Sequence, residues 1–222
     1  MRKIRASFLW LAMGLLLLIG AAGLSLYNVN REAEAGKDAN VAAEELTVVL
    51  KEKPQKAPVK SLPSVPSSQT VVIQPNVTDS EEPAAETMEP DEAEPVELDG
   101  RYYLGLITFP TLNRQLPVQD EWSYDNLRVS PCRMSGSVLS ENLVIFAHNY
   151  RTHFGSLNRL SEGDEVSLML TDGSVYVYQV SAKEIVEPTA VEDVAAGEWP
   201  LTLFTCTLGG QTRLVVRCDW AG

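Results

Sequence analysis

The sequence predicts an all-β domain, a barrel of seven or eight short strands, carried behind one membrane-crossing helix. Three observations predict it. Beyond Tyr102, short apolar or alternating runs recur with turn signals roughly every 8 to 15 residues. Before it, the uncharged apolar run from Phe8 to Tyr27 stands alone near the amino terminus. Between the two lies a stretch rich in proline and acidic residues that has almost no aromatic content.

The amino terminus carries Arg2, Lys3 and Arg5 ahead of the apolar run, which includes Leu15 to Gly20, LLLLIG. Twenty residues at about 1.5 Å rise reach roughly 30 Å, enough to cross a hydrocarbon core. The positive charges precede the span, which predicts a cytoplasmic amino terminus and an extracellular remainder. Residues 1–27 are therefore read as basic tip and anchor. A cleaved signal peptide is the rival, since Ala21, Ala22 and Gly23 are small, but the run exceeds the usual signal core.

Residues 28–53 are rich in Ala, Glu and Lys, and Val41, Leu46, Val49 and Leu50 trace a loose helical stripe, so a membrane-proximal stalk helix is expected. Residues 54–100 hold most of the chain's proline, eight of thirteen, and cannot bury enough apolar surface to offset ordering; they read as a disordered linker. Extended, forty such residues reach up to roughly 120 Å at about 3.1 Å each.

The folded domain is expected over residues 101–222. YYLGLITF and QLPVQ read as strands, Glu121 to Arg128 as a helical turn or two, Asn142 to Phe146 as a buried strand, and Phe154 to Leu160 as a short helix. Val166 to Leu170 and Val175 to Ile185 flank Asp172-Gly173, a strong hairpin signal. Glu187 to Trp199 reads as irregular and acidic.

Leu201 to Asp219, LTLFTCTLGGQTRLVVRCD, reads as a second hairpin turning at Gly209-Gly210. Counting outward pairs Leu208 with Gln211, Thr207 with Thr212, and Cys206 with Arg213. Cross-strand partners share a face at about 5 Å, so a thiol would stand opposite a guanidinium with five donors. For an arbitrary strand the blander account is a core cysteine beside a solvated arginine. A third element shifts the balance: the strand Val144 to Ala147 runs out into His148, one of only two histidines, and Cys, His and Arg together make a candidate cysteine-nucleophile site.

TLFTC at Thr202 to Cys206, the strand RLVVRC opened by Arg213, and the strand end Ala147-His148-Asn149 resemble the sortase family of Gram-positive cell-surface transpeptidases. The likeness covers about residues 102 to 220. It implies a closed eight-stranded β-barrel with short helices. It also implies that Cys206 is the nucleophile, attacking the Thr-Gly bond of a Leu-Pro-x-Thr-Gly-like sorting signal to form a thioester. His148 would be the general acid and base, and Arg213 would stabilise the oxyanion and the substrate backbone. The implied partners are secreted proteins bearing such carboxy-terminal signals, an amine of cell-wall precursor or pilin as acceptor, and the cytoplasmic membrane through the amino-terminal helix. No cofactor or metal is implied. Two departures from the family matter, the first mild and the second leaving the subclass open. Ala147 stands where relatives often carry glycine, and the connection from Glu187 to Pro200 is short where class B sortases insert a long helix.

Other residues compete for roles. Arg217 shares the face of Arg213 but lies about 13 Å along the strand at 3.3 Å per residue, so only one of the two can reach Cys206. Glu187, Glu192 and Asp193 are equally open as an acidic third member or as solvated loop residues. His153 is expected in a loop as a polar or capping residue. Cys132 and Cys218 could bridge in an exported protein, but Cys218 shares the face of Leu214 and Val216 and is more simply a buried thiol. The absence of any close Cys pair argues against a metal or redox site. The formal charge of -12 is lopsided, with ten of thirty acidic residues between Asp79 and Asp99, and no basic stripe exists to bind nucleic acid. The alternatives to a transpeptidase are a cysteine peptidase or hydrolase using water, and an inactive surface interaction module.

Overall fold

The computed structural model describes residues 2–54, 56, 58, 59, 93–190, 194 and 199–221. Residues 60–92, the greater part of the expected linker, lie outside the described residues, as do Glu192 and Asp193. The linker's two expected ends belong to the fold. Val59 bridges to Tyr176, Lys56 is ion-paired with Asp172, and Val96–Leu98 forms the first strand, β1. The boundary at 54–100 is corrected accordingly.

Anchor and stalk are one helix. α1 runs unbroken over Arg2–Lys51, with no proline until Pro54, and is long and apolar enough in its first half to cross a membrane. From Leu9 to Val29 its apolar side chains are exposed. Its second half docks on the barrel, burying Ala35, Ala39, Ala42, Leu46 and Leu50 at spacings of three and four. Ala42, Leu46 and Leu50 pack against Tyr103 and Leu106. The helix expected as a membrane-proximal stalk is packed on the barrel: the domain is fastened to the helix that carries the apolar run, so the linker's reach does not set its distance from that run. Of the expected stripe, Leu46 and Leu50 are buried, while Val41 is exposed.

Eight strands close the barrel: β2 (Arg101–Phe109), β3 (Arg114–Gln119), β4 (Cys132–Ser135), β5 (Leu143–Ala147), β6 (Glu165–Leu170), β7 (Val175–Val186), β8 (Leu201–Cys206) and β9 (Arg213–Trp220). Their order is β2-β3-β4-β5-β8-β9-β7-β6, with β6 returning to pair with β2 and β1 added beside the start of β2. α2 (Tyr124–Val129) is capped by Ser123, whose hydroxyl accepts from the Asn126 amide. A single 3-10 turn, Leu157–Arg159, stands where a short helix is expected.

Inward-facing residues fill the barrel: Leu104 and Ile107 of β2, Ile145 and Ala147 of β5, Leu203 of β8, and Val216 and Cys218 of β9. β2 is buried on both faces because α1 covers its outside, which is why YYLGLITF shows no clean alternation. Cys132, Cys206 and Cys218 are all free. Burial raises the Cys132 thiol to about 12 and the Cys218 thiol further still, as expected of inert core cysteines.

Candidate active site

Two parallel strands and one antiparallel strand build the site. β5 and β8 run side by side with Ala147 level with Thr205, and a bond from Thr205 Oγ1 to the Ala147 carbonyl (2.8 Å) locks the register. The next residue of each chain segment is His148 and Cys206. On the other side of β8 the ladder with β9 ends at the pair Cys206 and Arg213. Alternation places the three on the outer barrel face, continuing the rows Val144-Phe146, Thr202-Phe204 and Val215-Arg217. Beneath them Phe146 and Phe204 stack at 4.5 Å between centroids, and Phe204 packs with Val144, Val194 and Val215. The three candidates therefore stand at the edge of a packed apolar patch.

The β8–β9 turn is wider than a two-residue hairpin. The Thr207 carbonyl is taken by the Gly210 amide (2.9 Å), with Gly209 at φ +86°, a conformation that favours glycine. Thr212 must therefore find another acceptor, and its amide goes to the Thr207 hydroxyl (3.3 Å). Leu208 and Gln211 consequently form no ladder pair, a correction to the expected register at the tip. Because the loop opens symmetrically, Cys206 still faces Arg213. Nη1 of Arg213 donates to the carbonyls of Gly210 (3.0 Å) and Thr212 (3.1 Å), which orients the guanidinium against the turn.

His148 is half-buried, and Tyr150 lies against its ring at 4.8 Å between centroids. Burial, and secondarily the charges of Arg31 and Arg128, lower its pKa and favour the neutral imidazole. The amide of Asn149 reaches the Thr207 carbonyl (3.1 Å), tying the end of β5 to the β8–β9 turn. A groove of ≈ 240 Å³ opens beside Cys206, lined among others by Asn149, Phe154, Asn158, Ile185 and Leu208. Ile185 and Leu208 stand exposed, apolar chains presented to solvent at the mouth of the groove.

Arg217 is placed elsewhere. It is buried, donating from Nε to Glu184 (2.9 Å) and from Nη1 to the Val194 carbonyl (2.9 Å) and Thr202 (3.1 Å), so it braces the β7–β8 connection. Glu187 is exposed, and among the described residues no carboxylate bonds to the His148 ring. His153 is buried rather than merely polar. Its Nε2 meets the Val129 carbonyl at 3.1 Å, and burial lowers its pKa to about 4. Among the described residues no cluster of His, Cys, Asp or Glu could hold a metal. Tyr150, Asn149 and Glu184 are the participants that sequence reasoning missed. For Asn149 the signal lay in its place beside His148 at a strand end.

A closed barrel with a half-buried cysteine, a histidine and an arginine at three adjacent strand ends is the arrangement of a cysteine-nucleophile site. The sortase domain family matches residues 107–221, over half of the chain, and the protein belongs to the sortase family, whose members are cysteine transpeptidases. A solved structure agrees on the fold. Sortase A from Corynebacterium diphtheriae is 24% identical with a TM-score of 0.50, covering 55% of this chain and 62% of that one. Also similar are a lid mutant of Streptococcus agalactiae sortase C1 (22% identical, TM-score 0.48, 57% and 71% covered) and sortase C from Clostridium perfringens SM101 (27%, 0.47, 54% and 70%). No curated protein sequence matches.

Proposed function

We propose that this sortase is anchored by α1 with its amino terminus in the cytoplasm and the barrel outside. In this reading it cleaves a Leu-Pro-x-Thr-Gly-like sorting signal and transfers the acyl-threonine to an amine of cell-wall precursor or pilin. The observation that supports the site most directly is the register that sets His148 and Arg213 on either side of Cys206.

In the first half-reaction the Cys206 thiol gives its proton to neutral His148 as sulfur attacks the threonine carbonyl. Arg213, oriented by the turn, donates to the developing oxyanion. The C–N bond breaks, the leaving amine takes the proton from His148, and a thioester remains. In the second, an incoming amine attacks the thioester carbonyl, gives a proton to His148, and expels the Cys206 sulfur, which recovers it. The exposed apolar chains of Ile185 and Leu208 suit the aliphatic part of a sorting signal.

The test uses the full chain in detergent micelles with a panel of Leu-Pro-x-Thr-Gly-like peptides and excess glycine-headed or lysine-type amine. Mass spectrometry should find a product joined through threonine and an acyl adduct on Cys206. Cys206→Ala should give none, and His148→Ala no more than a trace. Exclusive release of the free threonine carboxylate, whatever amine is offered, would establish a hydrolase instead. Protection of the barrel from protease added to intact protoplasts would overturn the orientation, which rests on Arg2, Lys3 and Arg5 preceding the span.

A further inference from the structure

The end of α1 nearest the apolar run grips the turn that follows His148. Glu32 Oε1 accepts the Arg151 amide (2.5 Å), and the Glu32 carbonyl accepts the Thr152 hydroxyl (3.4 Å). One turn along, Gly36 lies so close to Thr152 that a Cβ at position 36 would sit 2.5 Å from Thr152 Cγ2. From the opposite side Arg114 of β3 donates to the Thr152 carbonyl (2.8 Å). The turn itself is compact. The amides of His153 and Gly155 both bond to the Tyr150 carbonyl (2.9 Å each), and the Phe154 amide bonds to that of His148 (3.2 Å). Tyr150 is thereby held with its ring between His148 (4.8 Å) and His153 (5.4 Å).

We propose that Glu32 and Gly36 are positioning residues for the site: through the 150–153 turn and the Tyr150 ring they fix the imidazole of His148. This rests on the reading of His148 as the acid and base. The helix that enters the membrane and the brace of the histidine are then one element. Val29 closes the continuous exposed apolar stretch that begins at Leu9 and precedes Glu32 by three residues, about 5 Å of helix, so the histidine end of the barrel sits next to the end of that stretch. Chemistry and anchorage are coupled, because a chain whose α1 is undocked keeps the β5–β8 register but loses the brace on the turn that holds the His148 ring.

Glu32→Ala removes the acceptor for the Arg151 amide, whereas Glu32→Gln keeps an oxygen in the same place. Gly36→Leu forces Thr152 away. In the full chain in micelles, Glu32→Ala should lower kcat about tenfold with KM within about twofold, and Gly36→Leu should cost more, as small displacements of reacting groups do. Glu32→Gln should restore most of the loss. Hydrogen exchange across residues 148–155 should rise in Glu32→Ala and fall back in Glu32→Gln. Equal kcat in all three variants and the parent, or equal losses in Glu32→Ala and Glu32→Gln, would overturn the proposal. If the parent chain itself turned over no peptide, the proposed function would fail, and hydrogen exchange alone would then decide the brace: unchanged exchange in Glu32→Ala would reject it.

Discussion

Ala147 and Thr205 are level in the parallel pairing of β5 with β8, and the bond from the Thr205 hydroxyl to the Ala147 carbonyl closes that pairing from the side. The relationship decides where the proposed chemistry sits. One residue further along each segment come His148 and Cys206, so their proximity is imposed by a buried, hydrogen-bonded ladder and not by loop conformation. Neighbouring strands lie about 4.8 Å apart, so imidazole and thiol extend from adjacent backbones.

The two arginines of β9 have separable jobs. Arg213→Lys should lower kcat roughly 10² to 10³-fold, the scale for losing an oriented oxyanion donor, while the melting temperature stays within a degree or two. Arg217→Lys should leave turnover within about threefold. It should lower thermal stability, because its bonds to Val194 and Thr202 are buried and each is worth about 1 kcal/mol. Paired kinetics and melting curves on the two variants check this, and a reversed pattern would place the functional cation at 217.

Much of this was legible because it depends on symmetric counting or on period. Cys206 faces Arg213 under any turn centred between Gly209 and Gly210, so widening the tip left the register intact. Asp172-Gly173 marked the β6–β7 hairpin by its turn chemistry, although the ladder, with Met169 opposite Val175, centres on Asp172 itself. The short strand β4 was illegible: Cys132–Ser135 has no alternation and exists because Cys132 pairs with Gln119 on one side and Phe146 on the other. The docking of α1 was hidden in alanines. Ala35, Ala39 and Ala42 read as helix propensity, yet all three are buried, Ala42 against Tyr103 and Leu106 of β2 and Ala39 within the main barrel cluster. The partnership of Arg217 with Glu184 spans strands β9 and β7 and leaves no local trace.

The pH dependence of turnover follows from His148. Burial, then the charges of Arg31 on α1 and Arg128 on α2, disfavour its protonated form. Activity that needs the neutral ring is lost as pH falls through the folded-state pKa, so the acid limb of kcat/KM should have its midpoint below the ordinary histidine value of about 6.5. Arg31→Gln removes one of the charges and should move that limb to higher pH. A limb unmoved by this change, or centred above 6.5 in the parent chain, would contradict the electrostatic account.

Stability should fall with acid through a different histidine. His153 titrates at about 4 when folded, below its ordinary value, so between about pH 6.5 and 4 the unfolded chain binds a proton that the folded chain refuses. At about 1.4 kcal/mol per unit, the contribution lost across this window is on the order of 3 kcal/mol. His153→Gln, which can still donate toward the Val129 carbonyl, should flatten the slope of melting temperature against pH in that interval. An unchanged slope would assign the acid sensitivity to other groups.

The docked half of α1 makes the last prediction, and it separates the stripe expected from sequence from the stripe observed. Leu46 is fully buried between α1 and β2, so Leu46→Ala removes apolar contact that the rigid strand cannot refill. Such truncations cost about 2 to 5 kcal/mol. For a chain of this size that is a fall of roughly 5 °C or more in melting temperature. Val41 was part of the same sequence stripe yet is 52% exposed, and Val41→Ala should change stability by no more than about 0.5 kcal/mol. Full-length chains in micelles, followed by a signal from the barrel such as near-ultraviolet dichroism, make the comparison. A large effect of Leu46→Ala there means that helix and barrel unfold as one unit. Equal, small effects of both substitutions would mean that α1 leaves the barrel before it melts, and that the helix is a tether after all.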